Sequence, residues 1–425
     1  MKSSNILFAT ASVMALSVTS ALADNNEAWL TQTNNGHSAS IDQSAGSNNQ
    51  AGRSGLQVVQ LGEFTLLGNT LSITQSGNNN DIGLVGGGFR QFNQSGPGST
   101  ATVTQSTDDN VIGSVLQVAR TASATGNSLV ATQQGGNGNT INLIAQDRSG
   151  QLGAGASTRR GHSAVVTQNG AHNFIDVVRQ GTQFDSSAGN VASIIINGDN
   201  NGGGSLTGLA LVGAANSSSV QSGTANEIGF LVSGGSSNQF GFRQVGSANQ
   251  AVGLELVGSN NELGVNQAGT TNVVSLATIG GDGNVIGFNQ AGTSNQASAT
   301  VSGTGNNNEF AILQNGTTNS ADVSIVGSDN GATASNGLFG AALLTGVTAG
   351  LIEQFGNSNE AELDIIGGNN AFAFLQGIGM VDGDFNSITG TVTGNNNAAA
   401  VSQSGSSNTA NFTQVGNGNS AGIKQ

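Results

Sequence analysis

Asn408, Ala410, Phe412 and Gln414 stand two residues apart, with Thr409, Asn411 and Thr413 between them. An extended strand puts the first set on one face and the second set on the other. The same frame begins at Asn397 and at Asn419, 11 residues to either side of Asn408. The joining stretch Val415-Gly416-Asn417-Gly418 is rich in residues that tolerate positive φ, so it predicts a turn. The unit reads strand, turn, strand, turn.

This frame recurs along the chain from Asn26. From Asn226 the anchors Asn238, Asn249, Asn261, Asn272, Asn284, Asn295, Asn307, Asn319 and Asn330 follow at intervals of 11 or 12 residues, so two half-units make a repeat of about 23. Upstream, His37, Ser99 and His162 stand where Asn is expected, and Asn216 is a further anchor. Intervals that begin at Asn69, Ser99, Asn127, His162, Asn190 and Asn216 stay at 10 to 12 residues. Those beginning at Asn49, Asn80, Asn110, Asn139 and Asn173 stretch to 17 or more. Insertions in alternate half-units predict a coil of two arcs, one held by its neighbours and one free to carry loops. The insertions fall at 50–68, 81–98, 144–161 and 331–358, and 226–330 is the regular stretch.

Each constrained arc reads apolar, apolar, glutamine at period two, as in Leu71-Ile73-Gln75, Ala101-Val103-Gln105, Leu129-Ala131-Gln133, Ala164-Val166-Gln168, Leu263-Val265-Gln267 and Ile286-Phe288-Gln290. In the other arc of the middle region Val232, Val257, Ile279, Val301 and Ile325 replace the glutamine. A glutamine on an apolar face costs a few kcal/mol unless its amide is satisfied. Stacked coils satisfy it, because identical side chains about 4.8 Å apart form hydrogen-bonded ladders along the axis. The expected ladder residues are Gln32, Gln43, Gln75, Gln105, Gln133, Gln168, Gln244, Gln267, Gln290, Gln314, Gln403, Gln414 and Gln425, with Asn249, Asn272, Asn295, Asn408 and Asn419. Pro97 lies between Gln94 and Ser99, in a turn where its missing donor breaks no ladder. The expected fold is all-β: a parallel two-arc β-solenoid, cross-β and amyloid-like, of about 15 to 16 coils on the order of 75 Å long.

Composition narrows the function. The chain has 425 residues, 67 Gly, no Cys, one Pro and 8% charged residues at a net charge of -14. Ten Lys and Arg form no basic stripe, which argues against nucleic acid. Without Cys there is no disulfide framework and no thiolate zinc site. Lys2, the apolar run Ile6 to Val18 and Ala21-Leu22-Ala23 have the form of a secretory leader, so 1–23 is expected to be a signal peptide and 24–425 a single repeat domain. The mature chain is expected to have no membrane span, since Gly340, Gly346 and Gly350 interrupt its most apolar stretch, Leu338 to Ile352. Asn26-Ala28-Leu30-Gln32 and Asn419-Ala421-Ile423-Gln425 carry the frame to both ends of this mature sequence without a polar cap. Open strand edges of that kind predict addition of further copies end to end.

Gln403, Gly405, Asn408, Ala410, Gln414, Gly416, Gly418, Asn419, Ala421 and Gln425 resemble the curlin repeat, the unit of bacterial curli fibres. The resemblance is tight over the last 30 residues, Asn26 to Asn49 and the glutamine arcs, and loose elsewhere. It implies an extracellular functional amyloid fibre of a Gram-negative cell, pilus- or fimbria-like, used in adhesion and biofilm matrix. It further implies secretion through a dedicated outer-membrane channel and nucleation by a minor subunit. The chain departs from the pattern in its length, its insertions and its lack of Tyr. The alternative is a soluble or surface-displayed solenoid adhesin that binds through its inserted loops.

Other functions find less support in the residues. Outward Thr70-Ser72-Thr74 above Thr100-Thr102-Thr104 suggests an ice-binding face, but Gln239-Gly241-Arg243 and Glu262-Gly264-Asn266 break the row. Gly281-Asp282-Gly283-Asn284, Asp199 and Asp329 suggest calcium, yet the nine-residue period of calcium solenoids is missing. No catalytic constellation joins His37, His162 and His172, so no enzyme activity, cofactor or metal is expected. Arg148, Arg159 and Arg160 read as a solvated loop. Glu353, Glu360, Glu362 and Asp364 form an expected acidic patch that would restrain premature assembly.

Overall fold

A computed structural model describes residues 16–19, 24–33, 36–53, 57–61, 68–83, 92–96, 98–119, 126–148, 161–181, 188–343, 345–377 and 383–425. The expected leader lies outside these residues except for the strand Leu16–Thr19, and Pro97, Arg159 and Arg160 lie outside them too. The chain divides into two compact units, residues 1–203 with 217–228, and residues 204–216 with 229–425. Each is a parallel β-solenoid with two sheets, named A1 and B1 in the first unit and A2 and B2 in the second.

Sheet A1 stacks Leu16–Thr19, Ser38–Asp42, Thr70–Gln75, Thr100–Gln105, Ser128–Gly135, Ser163–Gly170 and Val191–Asp199 in that order. Register is strict: Leu71, Ala101, Leu129 and Ala164 form one row, and Ile73, Val103, Ala131 and Val166 the next. Sheet B1 carries the insertions. They interrupt arcs from within, so Gln50–Ala51 and Val58–Leu61 are two pieces of one arc, as are Asp81–Ile82 and Phe92–Ser95. The insertions expected at 50–68 and 81–98 therefore contain strand. Likewise Thr140–Arg148 runs into the one expected at 144–161, and Leu351–Asn357 ends the one expected at 331–358.

Sheet A2 stacks Gln250–Leu256, Val273–Ile279, Gln296–Val301, Ser320–Val326, Glu360–Ile366, Ser387–Thr393 and Thr409–Val415. Sheet B2 stacks Gln239–Ser247, Glu262–Thr270, Val285–Thr293, Glu309–Thr317, Leu351–Asn357, Ala371–Gln376, Ala398–Gln403 and Ser420–Lys424. The thin core between A2 and B2 holds fully buried rows such as Phe240, Leu263, Ile286, Phe310 and Phe242, Val265, Phe288, Ile312. Phe230 packs against Phe240 and Phe242 with ring centroids 5.0 Å away in each case.

The turns explain the anchor spacing. A residue in the left-handed region directly precedes most anchors: Asn79 before Asn80, Ala248 before Asn249, Asn260 before Asn261, Thr271 before Asn272 and Ser407 before Asn408. One helical step of opposite hand there redirects the strand, and the following Asn points inward. This rule corrects three sequence readings. Asn307 is itself the left-handed residue (φ 54°), and the buried anchor is Asn308. Val257 is 37% exposed while Leu256 fills the core, because Gly253, at φ 66°, takes up one extra residue in that arc. Asn216 is no anchor; its side chain donates to Gly204 O at 2.5 Å within an insertion.

Candidate functional site

Two kinds of polar ladder run through each unit, one of glutamine and one of asparagine. On B2 the glutamine Nε2 of one coil donates to Oε1 of the next: Gln244 to Gln267 (2.7 Å), Gln267 to Gln290 (2.8 Å), Gln290 to Gln314 (2.8 Å) and Gln314 to Gln354 (2.8 Å). The run continues through Gln376 and Gln403 to Gln425. On A1 the run is Gln43, Gln75, Gln105, Gln133 and Gln168. B1 carries a run of its own, Gln32, Gln60, Gln94, Gln117, Gln146, Gln180 and Gln221. The glutamine arcs read as one in the sequence therefore occupy two sheets, with Gln75 to Gln168 on A1 and Gln267 and Gln290 on B2. Gln60, Gln94 and Gln221 escaped that reading because insertions part them from their anchors, and Gln117, Gln146 and Gln180 because one extra residue within the strand makes their anchor spacing seven and not six.

Ladder glutamines also tie the sheets together, as where Gln267 Nε2 reaches Gln250 O at 2.9 Å and Asn272 O at 3.0 Å. Gln414 stands outside any glutamine run. Its register neighbour is Val392, so its Oε1 receives no donor, and its Nε2 bonds Ala398 O at 3.0 Å.

The asparagine ladders run the other way. Asn272 donates its backbone N–H (3.1 Å) and Nδ2 (3.0 Å) to Asn249 Oδ1, and Asn295 donates likewise to Asn272. Asn408 and Asn419 donate their backbone N–H to Asn386 and Asn397. The second Nδ2 proton goes to a glycine carbonyl in the next turn, as from Asn249 to Gly269 O at 3.0 Å and from Asn272 to Gly292 O at 3.0 Å. Gly269 has φ 118°, and a Cβ there would lie 2.0 Å from Gly292 O, so the Gly and Asn positions form one coupled ladder. The same geometry accounts for the anchor replacements. His37 Nδ1 accepts Asn69 N–H at 3.0 Å, and Ser99 Oγ accepts Asn127 N–H at 3.2 Å. Asn, Ser and His share an acceptor that reaches the next backbone amide. Accepting at Nδ1 fixes His37 as the Nε2–H tautomer, which donates to Thr33 O at 3.0 Å. Burial lowers its pKa, against the opposing pull of that Thr33 bond.

Charges are sparse and outward. Glu360, Glu362 and Asp364 share a strand of A2, where Asp322 is the register partner of Glu362. Glu353 does not join them: it lies on B2 with Leu313 and Leu375 as register neighbours, and burial raises its pKa. Asp81 on B1 lies beside Gln50 and Val111 and is pushed up to about 6 by burial. Among the described residues no group of three or more His, Cys, Asp or Glu is placed to hold a metal ion, and no helix is long and apolar enough to cross a membrane.

No curated protein matches the chain. The family model of the curlin associated repeat matches residues 382–425, the stretch that holds Asn386, Asn397, Asn408 and Asn419, so over that stretch the chain is similar to the curlin repeat.

Proposed function

We propose that this chain is a structural subunit of an extracellular, curli-like functional amyloid fibre acting in adhesion and biofilm matrix. Copies would add by stacking coils in register, after export through a curli-type outer-membrane channel and nucleation by a partner subunit. The observation that carries this reading is the polarity of the ladders. Gln267 accepts from one coil and donates to the next, and Asn272 does the reverse. A coil from another copy can offer the same donors and acceptors at the same spacing, which is the arrangement that makes cross-β growth self-templating. The curlin match supports the family side of this proposal.

The test is thioflavin fluorescence of the chain from Asp24 to Gln425, with and without preformed seeds, followed by fibre diffraction. The expected outcome is seeded growth and a meridional spacing near ~4.7 Å. A folded β-rich monomer that never grows at any concentration would refute the fibre reading and favour the solenoid adhesin.

A further inference from the structure

The outward face of sheet B2 contains a lane with almost no side chains. Gly241, Gly264, Gly287 and Ala311 are successive register partners in its central row. Glycine inside a strand weakens it, and its recurrence marks a place where another backbone comes close. Here that backbone is the insertion 204–216. A Cβ on Gly241 would lie 2.5 Å from Ala215 O, one on Gly264 2.0 Å from Ala210 O, and one on Gly287 2.0 Å from Leu209 O. Leu206, Ala210, Val212 and Ala214 are buried in the contact.

Two carboxylates fasten this strap. Glu262 accepts Thr207 N–H at 2.5 Å and Thr207 Oγ1 at 2.8 Å, and Glu309 accepts Leu209 N–H at 3.0 Å. Gly208 allows the second of these, since a Cβ there would lie 2.2 Å from Glu309 Oε1. A second insertion, far away in sequence, treats the continuation of the Gly241 row beyond Leu351 in the same way. Ala373, Ala400 and Gly422 are register partners, and a Cβ on Gly422 would lie 2.0 Å from Ala341 O. Ser420 Oγ donates to Phe339 O at 2.6 Å and accepts Ala342 N–H at 3.1 Å, while Leu338, Phe339 and Val347 pack on Ala342, Ala398 and Ala400.

We propose that these insertions, and 204–216 in particular, are lateral shields: they occupy a backbone-accepting lane on B2 that would otherwise pair face to face with the same lane of a second copy of this chain. The flanks of the lane favour that occupant. One flanking row is Gln239, Glu262, Val285 and Glu309, and the other is Arg243, Asn266, Asn289 and Leu313. A two-fold axis along the lane keeps each coil at its own level, so Arg243 of one copy lies over Gln239 and one coil from Glu262 of the other, an isologous contact with a diagonal pair of opposed charges. The lane is flat and nearly bare, so two such sheets can approach closely and dryly, as paired sheets do in steric zippers. With the strap in place, Glu262 and Glu309 are engaged and the lane is filled. This goes beyond growth along the coil axis, since it concerns association at right angles to it.

The experiment excises residues 204–217, which restores between Asn201 and Gln221 the six-residue spacing seen between Asn261 and Gln267. Light scattering of unseeded protein reads lateral pairing, and seeded thioflavin growth reads axial assembly separately. The expected result is a doubling of mass in the excised chain, with the intact chain unchanged, and reversal of the doubling by Arg243→Glu in the excised background. An excised, folded chain that keeps the mass of the intact one, or a doubled mass indifferent to Arg243→Glu, overturns the proposal. If excision abolishes the β-sheet circular dichroism, Gly208→Val in the full chain loosens the strap, because Gly208 sits at φ 47° and a Cβ there displaces the Glu309 carboxylate from Leu209 N–H; with release of 204–216 checked by hydrogen exchange, doubling supports the shield and unchanged mass overturns it.

Discussion

Breaking the B2 glutamine ladder at one rung and at two adjacent rungs should cost nearly the same. Gln290→Ile removes the acceptor for Gln267 Nε2 and the donor for Gln314 Oε1. Gln267 keeps Gln250 O and Asn272 O for its two protons, so it loses little. Gln314 Oε1, by contrast, is left buried without its donor, which costs about 2 kcal/mol. The isoleucine fits, since Ile279, Val301, Ile325 and Ile365 fill the equivalent position on A2. In Gln267→Ile/Gln290→Ile the orphan is again Gln314 Oε1 alone, so the pair should also cost about 2 kcal/mol. The separated pair Gln267→Ile/Gln354→Ile orphans both Gln290 and Gln376 and should cost about 4 kcal/mol. Denaturant unfolding read with hydrogen exchange of the flanking strands measures each value. Additive costs for the adjacent pair, equal to those of the separated pair, would refute the ladder as the unit of stabilisation and assign each glutamine only its own local contacts.

Further outcomes follow from single sites. His37 has its pKa lowered, so it favours the neutral form in the folded chain. Its contribution should be whole above its ordinary value of 6.5 and fall away as pH drops below that value, and His37→Asn should flatten this part of a stability-against-pH profile. Glu353 has the opposite sign: its pKa is raised by burial, so its charge is a penalty that grows as pH rises above its ordinary value of 4.5. Glu353→Gln should therefore stabilise at neutral pH and lose that advantage in acid, as read by thermal melts at both. Ala248→Gly should stabilise by about 1 kcal/mol by relieving a left-handed alanine, whereas Ala251→Gly, in a fully buried strand position, should destabilise. Replacing Asp322, Glu360, Glu362 and Asp364 by Ser should shorten the lag of assembly if the A2 acidic patch restrains it, while Glu353→Ser should not reproduce the effect through that patch.

The repeat was legible because the anchor chemistry is almost invariant along the chain. Period two marked the inward residues, and the spacing of Asn249, Asn272 and Asn295 marked the coils. What escaped were features that linear spacing cannot encode. Gln60 belongs to the same arc as Gln50 and Ala51, but the intervening insertion destroys the six-residue spacing that identified Gln267. Asn307 and Asn308 are chemically identical, and only the backbone decides which is left-handed and which is buried. Glu353 lies seven residues from Glu360, yet the turn between them sends the two to different sheets. Gly241 and Gly264 were visible as outward positions, but the linear pattern put them in the hydroxyl row of Thr70 and Thr100, whereas that row stands on A1 and the two glycines on B2, so they do not interrupt it. Their role depends on a segment that reaches them from outside the repeat.

The two sheets of the second unit divide the demands of the fold between them. On A2 the position after the second core residue is aliphatic, with Leu256, Ile279, Val301, Ile325, Ile365 and Val392 all buried. Such a row adds apolar burial, but any aliphatic partner satisfies any other, so it does little to fix which residues pair. A strand shifted by one residue would also turn its core set outward. A strand shifted by two would keep the oily face inward and be punished only where polar groups lose their partners. B2 supplies that penalty through Gln244 to Gln425, and the Asn-Gly turns supply it at both edges of every regular coil. Gln414 shows the exchange from the other side: a glutamine returned to A2 beside Val392 has an orphaned oxygen and fixes no register. Polar ladders on one sheet and at the turns are therefore sufficient to hold register, which leaves the other sheet free to be apolar.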